Sequence, residues 1–115
     1  MRRLCVHCRE AYHPDEVEAS LLDCSAKNPP TIYRAKGCDK CDHQGYKGRV
    51  PVLEVLRVGR EIDELIAKRA SYNDIEMVAI ANGFKTLADA AVEHVLAGRS
   101  SLEEAIRSVD MTSRL

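Results

Sequence analysis

Hydrophobic residues change their spacing partway along the chain. Up to about residue 58 they come in short clusters broken by Gly, Pro and paired cysteines; from Gly59 onward they recur at three- and four-residue intervals, the period of a helix. In the first stretch, His13-Pro14-Asp15-Glu16-Val17 predicts a helix start, with Pro14 at the first helical position and two acids in the first turn. Val17, Leu21 and Leu22 form its apolar face, and it stops before Asn28-Pro29-Pro30. Thr31–Ala35 predicts a short strand and Gly45-Tyr46-Lys47-Gly48 a turn. Val50–Leu56 is β-rich, but Pro51 cannot donate to a ladder, which predicts an edge or a strand start.

In the second stretch, Ile62, Leu65 and Ile66 mark one helix, and Ile75, Val78 and Ala79 the next. Ser71 with Asp74 predicts an N-cap for the latter and Asn82-Gly83 its end. Leu87, Ala91, Val92, Val95 and Leu96 follow Thr86, and Gly98 closes that segment. Ser100/Glu103 and Ser101/Glu104 are overlapping capping boxes. Leu102, Ala105, Ile106 and Val109 are the face that follows, and residues from Met111 fray. Such stripes serve core packing, not a cofactor pocket. The fold class expected is α+β, mostly helical. Residues 1–58 form a module of short strands around the cysteines. Residues 59–115 form a bundle of about four short helices packed on it.

The chain has 115 residues, 45% hydrophobic and 30% charged, as in an ordinary globular domain. No apolar run approaches the roughly 20 residues of a membrane span, so direct membrane insertion is not expected. Met1-Arg2-Arg3-Leu4-Cys5 lacks the apolar region of a signal peptide. The cytoplasm, where thiols stay reduced, is the compartment expected. The net charge is −1, which gives no global case for nucleic acid. Residues 1–58 carry ten Lys/Arg against eight Asp/Glu, and residues 59–115 seven against ten.

The five cysteines carry the candidate chemistry. Cys5-Val6-His7-Cys8 and Cys38-Asp39-Lys40-Cys41 are two C-x2-C pairs, 29 residues apart. Each pair can turn two thiolates toward one ion, and two pairs complete the tetrahedron of a closed structural Zn²⁺ site. A metal suits the cysteine module of a chain with one Phe and no Trp, because it supplies stability that packing cannot. Arg2, Arg3, His7, Arg9, Lys36 and Lys40 lie close by in sequence and would offset the thiolate charge. Cys24 reads as a small apolar filler.

Iron also accepts four thiolates, and the pairing resembles rubredoxin, an electron carrier. That family places Gly after the second cysteine of each pair, where Arg9 and Asp42 stand here. The following helices would also go unexplained. His7 and His43 are alternative ligands, though four cysteines make them unnecessary. No phosphate loop, G-x-S-x-G or H-E-x-x-H motif occurs in the sequence. No catalytic residue and no cofactor-binding residue beyond the metal ligands is assigned. A free-standing zinc knuckle that binds nucleic acid is a further alternative, motivated by the basic residues around the cysteines.

Several motifs then run in order. They are Arg3-Leu4-Cys5-Val6-His7-Cys8, Tyr33-Arg34-Ala35-Lys36-Gly37-Cys38-Asp39-Lys40-Cys41, Gly45-Tyr46-Lys47-Gly48-Arg49, Glu54-Val55-Leu56, Gly83-Phe84-Lys85-Thr86-Leu87 and Gly98-Arg99-Ser100-Ser101-Leu102-Glu103-Glu104. From about residue 2 to 110 the chain resembles the C-terminal region of the GspE/PilB family, the ATPases of type II secretion and type IV pilus assembly. Pro51 and Ala90 depart from the family's glycines. The resemblance implies that Cys5, Cys8, Cys38 and Cys41 bind zinc in a subdomain attached to a nucleotide-binding core. It implies a non-catalytic segment, since the phosphate loop and acidic boxes of the family lie upstream of it. The implied partners are the motor core, neighbouring subunits of a hexamer and proteins of the inner-membrane platform. The implied place is the cytoplasm, peripheral to the inner membrane.

Overall fold

The computed structural model describes residues 1–25 and 27–114, Ser113 through its backbone only. The chain is a small α+β structure with short strands and helices. The elements are β1 (Arg2–Leu4), β2 (Glu10–Tyr12), α1 (Glu16–Leu21), β3 (Ile32–Arg34), β4 (Tyr46–Arg49), α2 (Arg60–Ala67), α3 (Tyr72–Ala81), α4 (Leu87–Leu96) and α5 (Leu102–Ser108). They group into two compact units: Met1–Val52 with the residues from Leu87 onward, and Leu53–Thr86. The 58/59 boundary drawn from spacing falls inside the second unit, and α4 and α5 belong to the first.

In the first unit the strands pair across long loops. β1 pairs antiparallel with β4, with Arg2 opposite Arg49 and Leu4 opposite Tyr46. β2 pairs antiparallel with β3, with Glu10 opposite Arg34 and Tyr12 opposite Ile32. Three-residue strands bury little, so other contacts must hold them. Three arginines lie over tyrosine rings: Arg2 on Tyr46 at 4.1 Å, Arg9 on Tyr33 at 4.2 Å and Arg34 on Tyr12 at 3.8 Å. Each such stack contributes about 0.5–2 kcal/mol. The apolar core comprises Leu21 and Leu22 at the end of α1, Ile32 of β3, Ala88, Ala91, Val92 and Val95 of α4, and Leu102, Ala105, Val109 and Met111. Alanines at 88, 91 and 105 let α4 and α5 lie close to β3.

Several local expectations are corrected. Pro14 lies ahead of α1, not at its first position, and Asp15 caps the helix: its carboxylate accepts from Glu18 N at 2.8 Å, and the Glu18 carboxylate accepts from Asp15 N at 3.2 Å. The helix does stop before Asn28, ending at Leu21, with Asp23 at a left-handed φ of 57°. Val17 is 65% exposed. The predicted turn at Gly45–Gly48 is largely strand β4. Val50 still donates to Met1 O at 2.9 Å; Pro51 has no N–H, and among the described residues no ladder continues through Val50–Leu56. Residues from Met111 do not fray as far as Arg114, which bonds Leu21 O at 2.6 Å and pairs with Asp89; Leu115 lies outside the described residues. In the second unit, α2 and α3 pack on each other and bury Ile62 and Ala79.

Of the two overlapping capping boxes, the structure uses Ser101, whose hydroxyl accepts from Glu104 N at 3.1 Å. Ser100 instead donates to Arg2 O at 2.8 Å. The Glu104 side chain is fully buried and accepts from Arg2, from Arg107 at 2.8 and 3.0 Å and from Ser108 at 2.9 Å. Burial pushes its carboxyl up, but the bonds from Arg107, Arg2 and Ser108 outweigh it and hold the group below its ordinary value. A depressed carboxyl stabilises the fold above the unfolded-state pKa, and this stabilisation is lost as pH falls through the folded value. Glu104→Gln should therefore cost about 1–3 kcal/mol at pH 7. The gap between variant and parent in thermal or urea unfolding should narrow as pH falls below about 4.

Candidate metal centre

Each cysteine pair is a link between two strands. β1 runs into Cys5–Cys8 and β2 leaves it; β3 runs toward Cys38–Cys41 and β4 leaves it. Because β1 pairs with β4 and β2 with β3, the two links are drawn together. Cys5 N donates to Gly45 O at 2.9 Å, which ties the first link to the second.

The four sulfurs converge, all within 4.8 Å of one another. Cys5–Cys38 and Cys8–Cys41 are 3.8 Å apart and Cys38–Cys41 3.7 Å. These are free thiols, far beyond disulfide length. A tetrahedron of sulfurs about 2.3 Å from a central ion has edges of about 3.8 Å. The donor set and its spacing thus fit one tetrahedral thiophilic ion, zinc or iron alike. His7 and His43 are exposed and stand outside this group; the His43 ring faces Asp39 at 3.0 Å instead.

Backbone amides donate directly to two of the sulfurs. Gly37 N donates to Cys8 Sγ at 3.3 Å, and Cys38 N and Gly45 N donate to Cys41 Sγ at 3.2 and 3.3 Å. Arg2 is taken by Glu104, Arg9 by Gly98 O at 2.6 Å, and Lys36 by Glu10 at 3.7 Å. The second link is a 3₁₀ turn at Asp39–Cys41, followed by Asp42 and His43 at φ 54° and 59°. Asp tolerates this left-handed geometry, so a missing glycine at 42 does not separate zinc from iron. Gly37 and Gly45 are the glycines this turn does require. At Gly37 (φ 113°) a Cβ would lie 2.7 Å from His43 O, and at Gly45 (φ 82°) 2.6 Å from Ala35 Cβ. The sequence places both in motifs, and Gly45 in a turn, but their role at the sulfurs depends on backbone angles that the sequence does not show.

The thiols do not share one protonation behaviour. Burial pushes Cys41 up, but amide bonds from Cys38 and Gly45 and the neighbouring thiols bring it down to about 6. Burial and the surrounding thiols push Cys8 up to about 11, against the Gly37 amide. At neutral pH one sulfur is ready as thiolate while Cys8 keeps its proton, and metal uptake must expel that proton. Metal affinity should therefore fall as pH drops from 8 to 5, most steeply once Cys41 protonates. A chromophoric indicator titration measures this, and a flat profile would exclude thiolate ligation. Gly45→Ala should cost about 1–3 kcal/mol in backbone strain and weaken metal binding in the same titration.

Among the described residues no helix is long and apolar enough to cross a membrane. The sequence matches the family described as Type II/IV secretion system protein over residues 1–107. It is 37% identical over 107 residues to the Type II secretion system ATPase E of Vibrio cholerae, covering 93% of this chain and 21% of that protein. It is 32% identical to the Type IV pilus assembly ATPase TfpB of Acinetobacter baylyi, covering 97% and 20%. With the Type IV pilus assembly ATPase PilB of Thermus thermophilus the identity is 33%, covering 92% and 12%. The chain spans about a fifth or less of the length of these relatives. With the cysteine links and nearly all of both units inside the matched stretch, the chain belongs to the type II/IV secretion system protein family.

Proposed function

We propose that Cys5, Cys8, Cys38 and Cys41 bind one Zn²⁺ as a closed structural site. We further propose that this chain is the C-terminal, non-catalytic part of a secretion or pilus-assembly ATPase. The observation that carries the metal reading is the set of sulfur–sulfur edges of 3.7–3.8 Å. Four thiolates leave no open coordination position, so the ion's task is to hold shape.

In this reading the chain is a docking module. It joins the ATPase motor core and neighbouring subunits of a hexamer to inner-membrane platform proteins, in the cytoplasm and peripheral to the membrane. The relatives' designations as secretion and pilus-assembly ATPases support the setting. The second unit supports the docking role. Leu53, Val55, Val58, Tyr72 and Met77 are each more than half exposed, and exposed apolar surface of this extent marks an interaction site. A cleft of about 290 Å³ lies among Leu56, Tyr72, Ile75, Ala79 and Phe84.

Two measurements test the proposal. Elemental analysis of the purified chain should return one zinc per chain in a colourless solution; iron with a red colour would replace zinc by a redox centre. The chain alone should show no ATP turnover above a buffer blank, and turnover that survives repurification would refute the non-catalytic assignment.

A further inference from the structure

The β1–β4 ribbon contains four cations and no carboxylate: Arg2, Arg3, Lys47 and Arg49. The register sets Arg2 directly opposite Arg49, and like charges so placed repel. Arg2 is compensated, since its Nε bonds the buried Glu104 and its guanidinium lies over Tyr46. Arg49 has no such arrangement. Among the described residues no carboxylate, ring or hydrogen-bond acceptor partners its side chain, and the Gln44 carboxamide is likewise unpartnered.

These groups meet in one cleft of about 210 Å³, lined by Arg2, Gln44, Tyr46, Gly48 and Arg49. The donors are the full guanidinium fork of Arg49, the terminal nitrogens of Arg2 that Glu104 leaves free, and the Gln44 amide. Two guanidinium forks beside an amide donor match a tetrahedral oxyanion carrying about two charges, since Arg forks engage phosphate oxygens in pairs. We propose that this cleft binds a phosphate group, carried either by a soluble ligand or by a lipid headgroup. The bound dianion relieves the Arg2–Arg49 opposition. The site is distinct from the sulfur cluster, and none of its lining residues is a cysteine.

The test titrates inorganic phosphate into the isotopically labelled full chain at constant ionic strength, following the backbone amides of residues 44–49. Saturable shifts are expected. Arg49→Gln should weaken binding about tenfold, the scale of one charge-assisted bidentate contact. Arg3→Gln, which removes the same charge outside the cleft, should leave binding within about twofold. Arg49 is exposed and its side chain makes no hydrogen bond or ion pair among the described residues, so neither variant should lower the melting temperature. Absence of saturation, equal loss in both variants, or acetate binding as tightly as phosphate would overturn the proposal. Sedimentation with phosphatidylglycerol and phosphatidylcholine vesicles separates the sources. Arg49-dependent capture by the anionic vesicles assigns a headgroup, and phosphate binding without capture assigns a soluble ligand; either outcome supports the site.

Discussion

The convergence of Cys5, Cys8, Cys38 and Cys41 is the constraint on which the first unit turns. Each pair joins two strands, and each strand pairs with one from the other arm. Bringing the sulfurs together therefore sets the approach of all four strands at once. Closing a loop of this length costs chain entropy that a few three-residue ladders cannot recover. A structural zinc ion contributes on the order of 10 kcal/mol, enough to decide whether such a module folds.

Around that centre the chain uses polar groups where a larger domain would use bulk. Arg–Tyr stacks brace the strands, and backbone amides, not side-chain cations, face the sulfurs. Glu104 ties β1 to α5 from beneath. Arg2 thus serves the fold, whereas the side chain of its cross-strand partner Arg49 makes no ion pair or hydrogen bond among the described residues. The two units also differ in kind. The first buries a continuous core from β3 to Met111, while the second leaves much of its apolar surface to water. The proposed docking role rests on that contrast.

Much of the second half was legible in the sequence because amphipathic helices announce themselves by spacing. The ends of α3, the cap at Ser71 and the cap at Ser101 all follow local rules. The short strands were harder. Arg2–Leu4 and Glu10–Tyr12 are too short to show alternation, and they exist because of partners 20 or more residues away. The Tyr46–Arg49 segment looked like a turn because its two glycines dominate local propensity, yet pairing with β1 overrides it. The sulfur cluster was legible from pair spacing alone. Its amide donors and the roles of Gly37 and Gly45 were not, since they depend on backbone angles that appear only once the links meet.

The central claim is that metal at the sulfur cluster holds the first unit together. Native-state hydrogen exchange of the chain before and after removal of metal by a strong chelator tests it most directly. If the claim holds, the amides of Leu4, Cys5 and Val50, together with those of β2 and β3, lose protection on chelation and regain it when zinc is restored. Unchanged protection of those amides in verified metal-free chain would contradict it.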